Sequence, residues 1–313
     1  MSAKKPKLRL GTRASALARW QADWVAARLK DRQVDVELVE ISTQGDQRSG
    51  PIGGLGTQGV FTKEVQRALL DERVDLAVHS LKDLPTESVD GLALAAVPER
   101  ANPFDVLATC DGSGWDALPA GARVGTGSPR RRAQLLHARA DLEVVDIRGN
   151  VDTRLAKLDG GDYDALVLAA AGVERLGRDD RIAFQFPPEI MLPAIGQGAL
   201  GIETRAGDDA TREALRPLND PLSEACVTAE RALLARLRGG CLAPVAALAR
   251  ANSDEQTSDN IELTARVVSI DGGRRIESRH RGSASNATAI GIALADKLLS
   301  LGAGELIEQA RAG

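Results

Sequence analysis

The stretch Arg123-Val124-Gly125-Thr126-Gly127-Ser128-Pro129-Arg130-Arg131-Arg132 restates an earlier one, Arg9-Leu10-Gly11-Thr12, followed at a similar distance by Ser15. Each copy closes a short strand at Gly-Thr and then offers a serine able to cap a helix. In the second copy Pro129 takes the first helical position, where its missing N–H costs nothing. In the first, the pattern predicts a helix from Ala16 to Lys30, with Leu17, Trp20 and Trp24 on an apolar face and Gln21 beside it. Each helix leads to a strand, Val36–Ile41 or Val144–Ile147, and later to a more apolar one, Asp75–His79 or Ala165–Ala169. Two similar α/β lobes follow from this repetition.

Arg130, Arg131 and Arg132 stand where the helix dipole is positive, so each costs a few tenths to about 1 kcal/mol unless an anion lies among them. An anionic ligand would supply it; a solvated basic turn is the alternative. Nucleic acid is not expected, because the chain carries 40 Lys+Arg against 44 Asp+Glu. The positive charge is local. From Gly121 to Arg154 seven arginines (123, 130, 131, 132, 139, 148, 154) face four carboxylates (Asp141, Glu143, Asp146, Asp152), a surplus of three charges. Arginine without lysine suits bidentate binding of carboxylate or phosphate, and a small polyanion is expected. Two lobes presenting capped helix starts to a cleft would clamp such a molecule.

With 313 residues and 43% hydrophobic content the chain can bury large cores, in two or three domains. Met1 to Leu10 starts basic but has no apolar core, and no stretch approaches the roughly 18 apolar residues of a membrane span. A cytoplasmic protein without a membrane partner is expected. Cys110, Cys226 and Cys241 show no CxxC spacing and His79, His137 and His280 no ligand pattern, so neither a disulfide framework nor a metal site is indicated.

Six glycines between Gly45 and Gly59 predict a mobile loop, either a lid or a plain connection. Val97-Pro98 to Asn102-Pro103 reads as a linker, Pro193 to Glu203 as a glycine-rich return crossing, and Pro217 to Pro221 as a second boundary. Asp220-Pro221 starts a helix reaching about Arg238, stopped by Gly239-Gly240. Ile261–Ile270 and Arg274–Arg281, joined by Asp271-Gly272-Gly273, predict a hairpin, and two helices follow from Ser285. The expected domains are 1–98 with 200–219, 104–194, and a small α+β domain over 222–313.

The segment Val74 to Pro85 runs out of an apolar strand into Ser80, Lys82 and Asp83, at a strand end where α/β folds place ligands. A surface ion pair between Lys82 and Asp83 is the plainer reading. Cys241 follows a helix C-terminus, which disfavours a thiolate, and no histidine neighbours it. It reads either as a small residue in a turn or as something other than a conventional nucleophile. Cys226 falls in a helix and is expected in the core.

HSLKD (79–83), GTGSPRRR (125–132), RGNVDTRL (148–155), LPAIGQGALGIE (192–203) and RGGC (238–241), in this order and spacing, resemble the porphobilinogen deaminase (hydroxymethylbilane synthase) family across nearly the whole chain. The resemblance implies two periplasmic-binding-protein-like α/β lobes and a small C-terminal α+β domain bearing a cofactor cysteine. It implies a monomeric transferase of tetrapyrrole biosynthesis that joins four porphobilinogen units head to tail into hydroxymethylbilane, releasing ammonia. Its primer would be a dipyrromethane cofactor held by a thioether at Cys241, whose thiol captures an electrophilic azafulvene once and then serves as a tether. Asp83 matches the catalytic carboxylate, aimed at positive charge that develops as ammonia leaves. Ser80, Lys82, Thr126, Ser128, Arg130, Arg131, Arg148 and Arg154 match cofactor and chain contacts, and Arg13, Ser15, Gln21 and Arg175 match substrate contacts. No metal is implied.

Three positions depart from the family pattern: Gln58 where a lysine is common, Gly127 for a serine, and Leu242-Ala243 for Gln-Val. A non-catalytic dicarboxylate clamp would also explain the arginines, but not Asp83 or the Gly-Gly-Cys turn. A phosphate-sugar enzyme is disfavoured by the lack of a GxxxxGK[ST] loop.

Overall fold

The computed structural model of the protein describes residues 7–42, 62–239, 243–251 and 259–312. Cys241, Leu242, Gln58 and the Gly45–Gly59 segment lie outside the described residues. The chain forms two compact units, Met1–Arg100 with Ala199–Glu224, and Ala101–Gly198 with Ala225–Gly313.

The first unit is built on strands β1 (Leu8–Thr12), β2 (Val36–Glu40), β3 (Leu76–Ser80), β4 (Leu92–Ala96) and β10 (Leu200–Arg205), in the order β2-β1-β3-β10-β4. β1 runs parallel to β2 and β3, while β10 pairs antiparallel with β3 and β4. Helix α1 (Ala16–Asp31) covers one face and α2 (Lys63–Leu70) packs Val65, Ala68 and Leu69 with Ala77 on the other. As the sequence suggests, Ser15 caps α1, its side chain accepting from the Ala18 N–H. The expected apolar face of α1 is corrected. The buried stripe is Gln21, Ala22, Val25 and Leu29, while Leu17, Trp20 and Trp24 are only half-buried. Small and β-branched side chains let the helix approach the sheet, and the indole of Trp24 lies at the flank under the Arg28 guanidinium, 3.5 Å above the ring.

The second unit repeats the plan with β5 (Asp105–Thr109), β6 (Arg123–Gly125), β7 (Glu143–Val145), β8 (Ala165–Ala169) and β9 (Phe184–Gln185), ordered β7-β6-β8-β5-β9. Again a parallel trio, β7-β6-β8, is extended by an antiparallel strand, β5. Each lobe is thus an α/β layer that admits one reversed strand where the chain crosses over. Helices α3 (Pro129–Ala138), α4 (Val151–Asp159) and α5 (Ala170–Arg175) belong to this lobe, and α6 (Asp209–Leu215) to the first. β7 stops at Val145, short of the expected Ile147, because β6 ends at its partner Gly125.

From α7 (Pro221–Leu237) onward the chain forms an α+β layer: antiparallel strands β11 (Val245–Ala251), β12 (Asn260–Val268) and β13 (Arg275–Ser283), then α8 (Ala287–Ser300) and α9 (Ala303–Ala312). Alternate residues of β12, Ile261, Leu263, Ala265 and Val267, meet Ile290, Leu294, Leu298 and Leu306 in one core, which Cys226 also enters.

Candidate active site

In the first unit the carboxyl end of β3 turns through one 3₁₀ turn, Leu81–Asp83, and the turn is fixed by apolar anchors. Leu81 is buried and its N–H donates to the Ala199 carbonyl at 3.0 Å, while Leu84 is buried behind it. Pinned on both sides, the turn leaves Lys82 half-buried and projects Asp83 into solvent. Gln21, buried on α1, donates through Nε2 to Ser80 Oγ at 2.8 Å. Arg13, Ser15, Gln21, Ser80 and Asp83 line a single pocket of about 70 Å³. The segment between β1 and α1 thereby meets the end of β3.

The same pocket is lined by His79, which the sequence reading did not single out. Its Nε2 lies 3.1 Å from Glu203 Oε2, at an angle that makes no hydrogen bond, and Gln66 Nε2 donates to both Glu203 oxygens at 3.1 Å. All three side chains are buried. His79 and Glu203 come together because β3 and β10 pair across the sheet, and Gln66 reaches Glu203 from α2.

In the second unit, β6 runs into the start of α3. Ser128 caps that helix, accepting from the Arg131 N–H, and its own N–H donates to Thr126 Oγ1 at 3.3 Å. Arg130 and Arg131 do not point to solvent; they are 5% and 6% exposed. The anion that the helix start demands is internal, and this corrects the expectation that a ligand alone supplies it. Asp105, fully buried at the head of β5, receives Arg130 Nη1 at 2.7 Å and Nη2 at 3.2 Å, and Arg131 Nε at 2.9 Å. Gln197 Nε2 adds a fourth donor at 3.0 Å. Burial alone would raise the Asp105 carboxyl, but Arg130 and Arg131 hold it far below the usual carboxylate range. Arg130 Nη1 also donates to the Leu192 carbonyl and Arg131 Nη1 to that of Val167.

Around this pair lie further cations. Arg148 is exposed and pairs with Asp146 at 2.9 Å, and Arg154 donates through Nε to the Gly149 carbonyl at 2.9 Å. Arg154 is pulled down to about 10, first by burial and then by the like charges of Arg131 and Arg148, against a weaker pull from Asp146. Four guanidiniums, Arg130, Arg131, Arg148 and Arg154, thus face two carboxylates, Asp105 and Asp146. Arg175 is likewise lowered to about 10 by burial, and donates to the Gly198 carbonyl at 2.7 Å. Arg132 turns away, donating to the Val144 carbonyl. A side chain at Gly127 would bring its Cβ within 2.9 Å of the Ile147 carbonyl, so a serine there needs a local shift of backbone.

A dipyrromethane bearing acetate and propionate side chains fits this donor set: its carboxylates would balance cations that Asp105 and Asp146 leave unmatched. Among the described residues no cluster of histidine, cysteine or carboxylate side chains could hold a metal ion, and no helix is long and apolar enough to cross a membrane.

Two family models match the chain in succession: the porphobilinogen deaminase dipyrromethane cofactor binding domain over residues 8–213, and the porphobilinogen deaminase C-terminal domain over residues 224–300. Porphobilinogen deaminase of Syntrophotalea carbinolica is 48% identical over 96% of this chain and 95% of its own length. That of Desulforudis audaxviator is 48% identical over 97% and 98%, and that of Geobacter sulfurreducens 45% over 97% and 94%. A solved nutrient binding protein from Burkholderia cenocepacia, bound to methionine, covers 67% of this chain and 90% of its own at 12% identity and a TM-score of 0.42. With both domain models in order and relatives matched end to end at nearly half identity, the chain belongs to the porphobilinogen deaminase family.

Proposed function

We propose that the protein condenses four molecules of porphobilinogen head to tail into hydroxymethylbilane, with release of ammonia, from a dipyrromethane primer joined to Cys241. The observation that carries this reading is the unmatched positive charge around Arg131, Arg148 and Arg154, because every pyrrole unit brings two carboxylates and a growing chain needs cations already in place. When bound, the cofactor supplies a terminal pyrrole whose free α-carbon accepts the next unit.

The protein's own residues divide the remaining work. Arg131, Arg148 and Arg154, with Thr126 and Ser128, hold carboxylates of the primer and chain; Arg130, fastened to Asp105, sets the position of Arg131 and adds charge. Arg13, Ser15, Gln21 and Arg175 orient the incoming porphobilinogen, with Ser80 held by Gln21 and Lys82 on the adjoining turn. Asp83 accepts a hydrogen bond from the substrate pyrrole N–H and stabilises the positive charge that builds on the ring as the C–N bond to ammonia breaks. Its place on a turn pinned by Leu81 and Leu84 keeps it aimed without disturbing the strand beneath.

Cys241 needs no activated thiolate, since its bond to the primer is made once. Intact mass of the denatured protein should exceed the polypeptide by two pyrrole units, and Cys241→Ala should return it to the bare chain, while alanine at Cys110 or Cys226 keeps the added mass. A bare mass in protein grown with porphobilinogen supplied would leave a carboxylate-binding clamp instead. Action as a cytoplasmic monomer belongs to the same proposal, checked by fractionation and light scattering.

A further inference from the structure

Helix α3, which carries Arg130 and Arg131, is gripped by the C-terminal α+β layer at two places. Midway along it, the buried Gln134 accepts through Oε1 from the Leu192 N–H at 2.9 Å and from Arg266 Nη1 at 2.9 Å. Its Nε2 donates to the Leu192 carbonyl at 3.0 Å, the same oxygen that accepts from Arg130 Nη1 at 2.6 Å. Arg266, on β12, is 2% exposed and also donates to the carbonyls of Pro188 and Ile190, at 2.9 and 3.2 Å, and to Glu277 at 2.5 Å. One run of hydrogen bonds therefore passes from Asp105 through Arg130, Leu192 and Gln134 to Arg266.

The second grip is the turn between β12 and β13. Gly272 adopts φ +78°, and a Cβ there would lie 2.5 Å from the His137 backbone nitrogen at the end of α3. Its carbonyl is 2.8 Å from His137 Nδ1. Only a glycine lets the turn approach this closely.

A buried guanidinium is costly, and an apolar pair of like volume would stabilise the contact as well; what a polar run adds is direction. We infer that Arg266 and the Gly272 turn are positioning residues of the cofactor site, setting the height and rotation of α3 so that its arginines meet the primer's carboxylates in register. Neither residue touches substrate. The inference rests on the reading that these arginines hold the cofactor.

The test uses full-length apoproteins, made without porphobilinogen, of the parent, Arg266→Lys, Gly272→Ala, Gly273→Ala and Arg131→Leu. Lysine keeps the charge but cannot span four acceptors. Gly273→Ala is the control within the turn, since a Cβ there meets only the Asp271 carboxylate, at 3.4 Å. Porphobilinogen is added at a temperature where circular dichroism shows all chains folded, and cofactor assembly is followed by intact mass. Arg266→Lys and Gly272→Ala should assemble the cofactor about tenfold more slowly than the parent and Gly273→Ala. Once loaded, they should show a raised KM with kcat little changed. A lowered thermal midpoint with parental assembly rate and KM would reduce Arg266 to a packing residue and overturn the inference. If Arg131→Leu itself assembled at the parental rate, the arginine-site reading would fall, and the inference with it. Should Gly272→Ala not fold, Arg266→Lys decides alone.

Discussion

The guanidinium of Arg131 lies 2.8 Å from Oδ1 of Asp105, inside a lobe where both side chains are buried. Asp105 also receives Arg130, so one carboxylate serves two cations and leaves the start of α3 positively charged. The neighbouring Arg148 and Arg154 add to this charge, and the proposed function puts the primer's carboxylates among them. The internal pair offsets part of the charge at the start of α3, and under the proposed function the remainder would meet the primer's carboxylates.

Asp105→Asn should be among the most destabilising single changes in the second lobe. Removing one partner of a buried ion pair costs about 3–5 kcal/mol, because the other charge stays buried and unpaired. The carboxyl is depressed in the folded state, so its contribution is complete above its unfolded value of about 3.9 and is lost as pH falls below that. Urea unfolding should show a constant gap between parent and variant from pH 5 to 8 that narrows below about pH 4; a gap that widened in acid would refute the pairing.

Asp83→Asn should leave stability nearly unchanged, since the side chain is exposed. Turnover should drop by about 10²–10³. Steady-state kinetics with porphobilinogen decide it: activity within about tenfold of the parent, roughly 1.4 kcal/mol, moves the catalytic role elsewhere.

Arg154→Leu should separate stability from function. Burial and two like charges oppose this guanidinium, so its loss should leave the cofactor-free protein as stable as the parent or more so. Cofactor content, read by intact mass, should fall. A destabilised apoprotein would mean that Arg154 is held by a stronger anion than Asp146.

Gln21→Leu removes the donor to Ser80 and leaves a buried pocket wall of similar size. One neutral hydrogen bond is worth about 0.5–1.5 kcal/mol. The expected outcome is a KM several-fold higher with kcat nearly intact; an unchanged KM would show that Ser80 needs no such support.

Much of this molecule was legible in short range. The helix starts at Ser15 and Ser128, the strand Ala165–Ala169 and the hairpin around Gly272 depend on neighbours a few residues away, which sequence patterns report directly. Ser80 and Asp83 stand in the HSLKD motif, the family resemblance implies Arg13, Ser15 and Gln21, and all five line one pocket.

The sequence by itself determined the order of elements, the doubled lobe and the chemistry available at each strand end, because capping, periodicity and turn chemistry are local. Only the tertiary structure decided which charges meet. Asp105 stands 25 and 26 residues from its arginines, and Gln197 reaches it across 92. His79 and Glu203 come together through an antiparallel pairing that spans the whole second lobe in sequence. The stripe of α1 that faces the sheet was likewise settled by how closely Ala22 and Val25 can approach it, against the larger Trp20 and Trp24. Pairings of this kind depend on packing between distant segments, and that is why an anion assigned to a ligand from the sequence is, in the fold, first an aspartate of the protein itself.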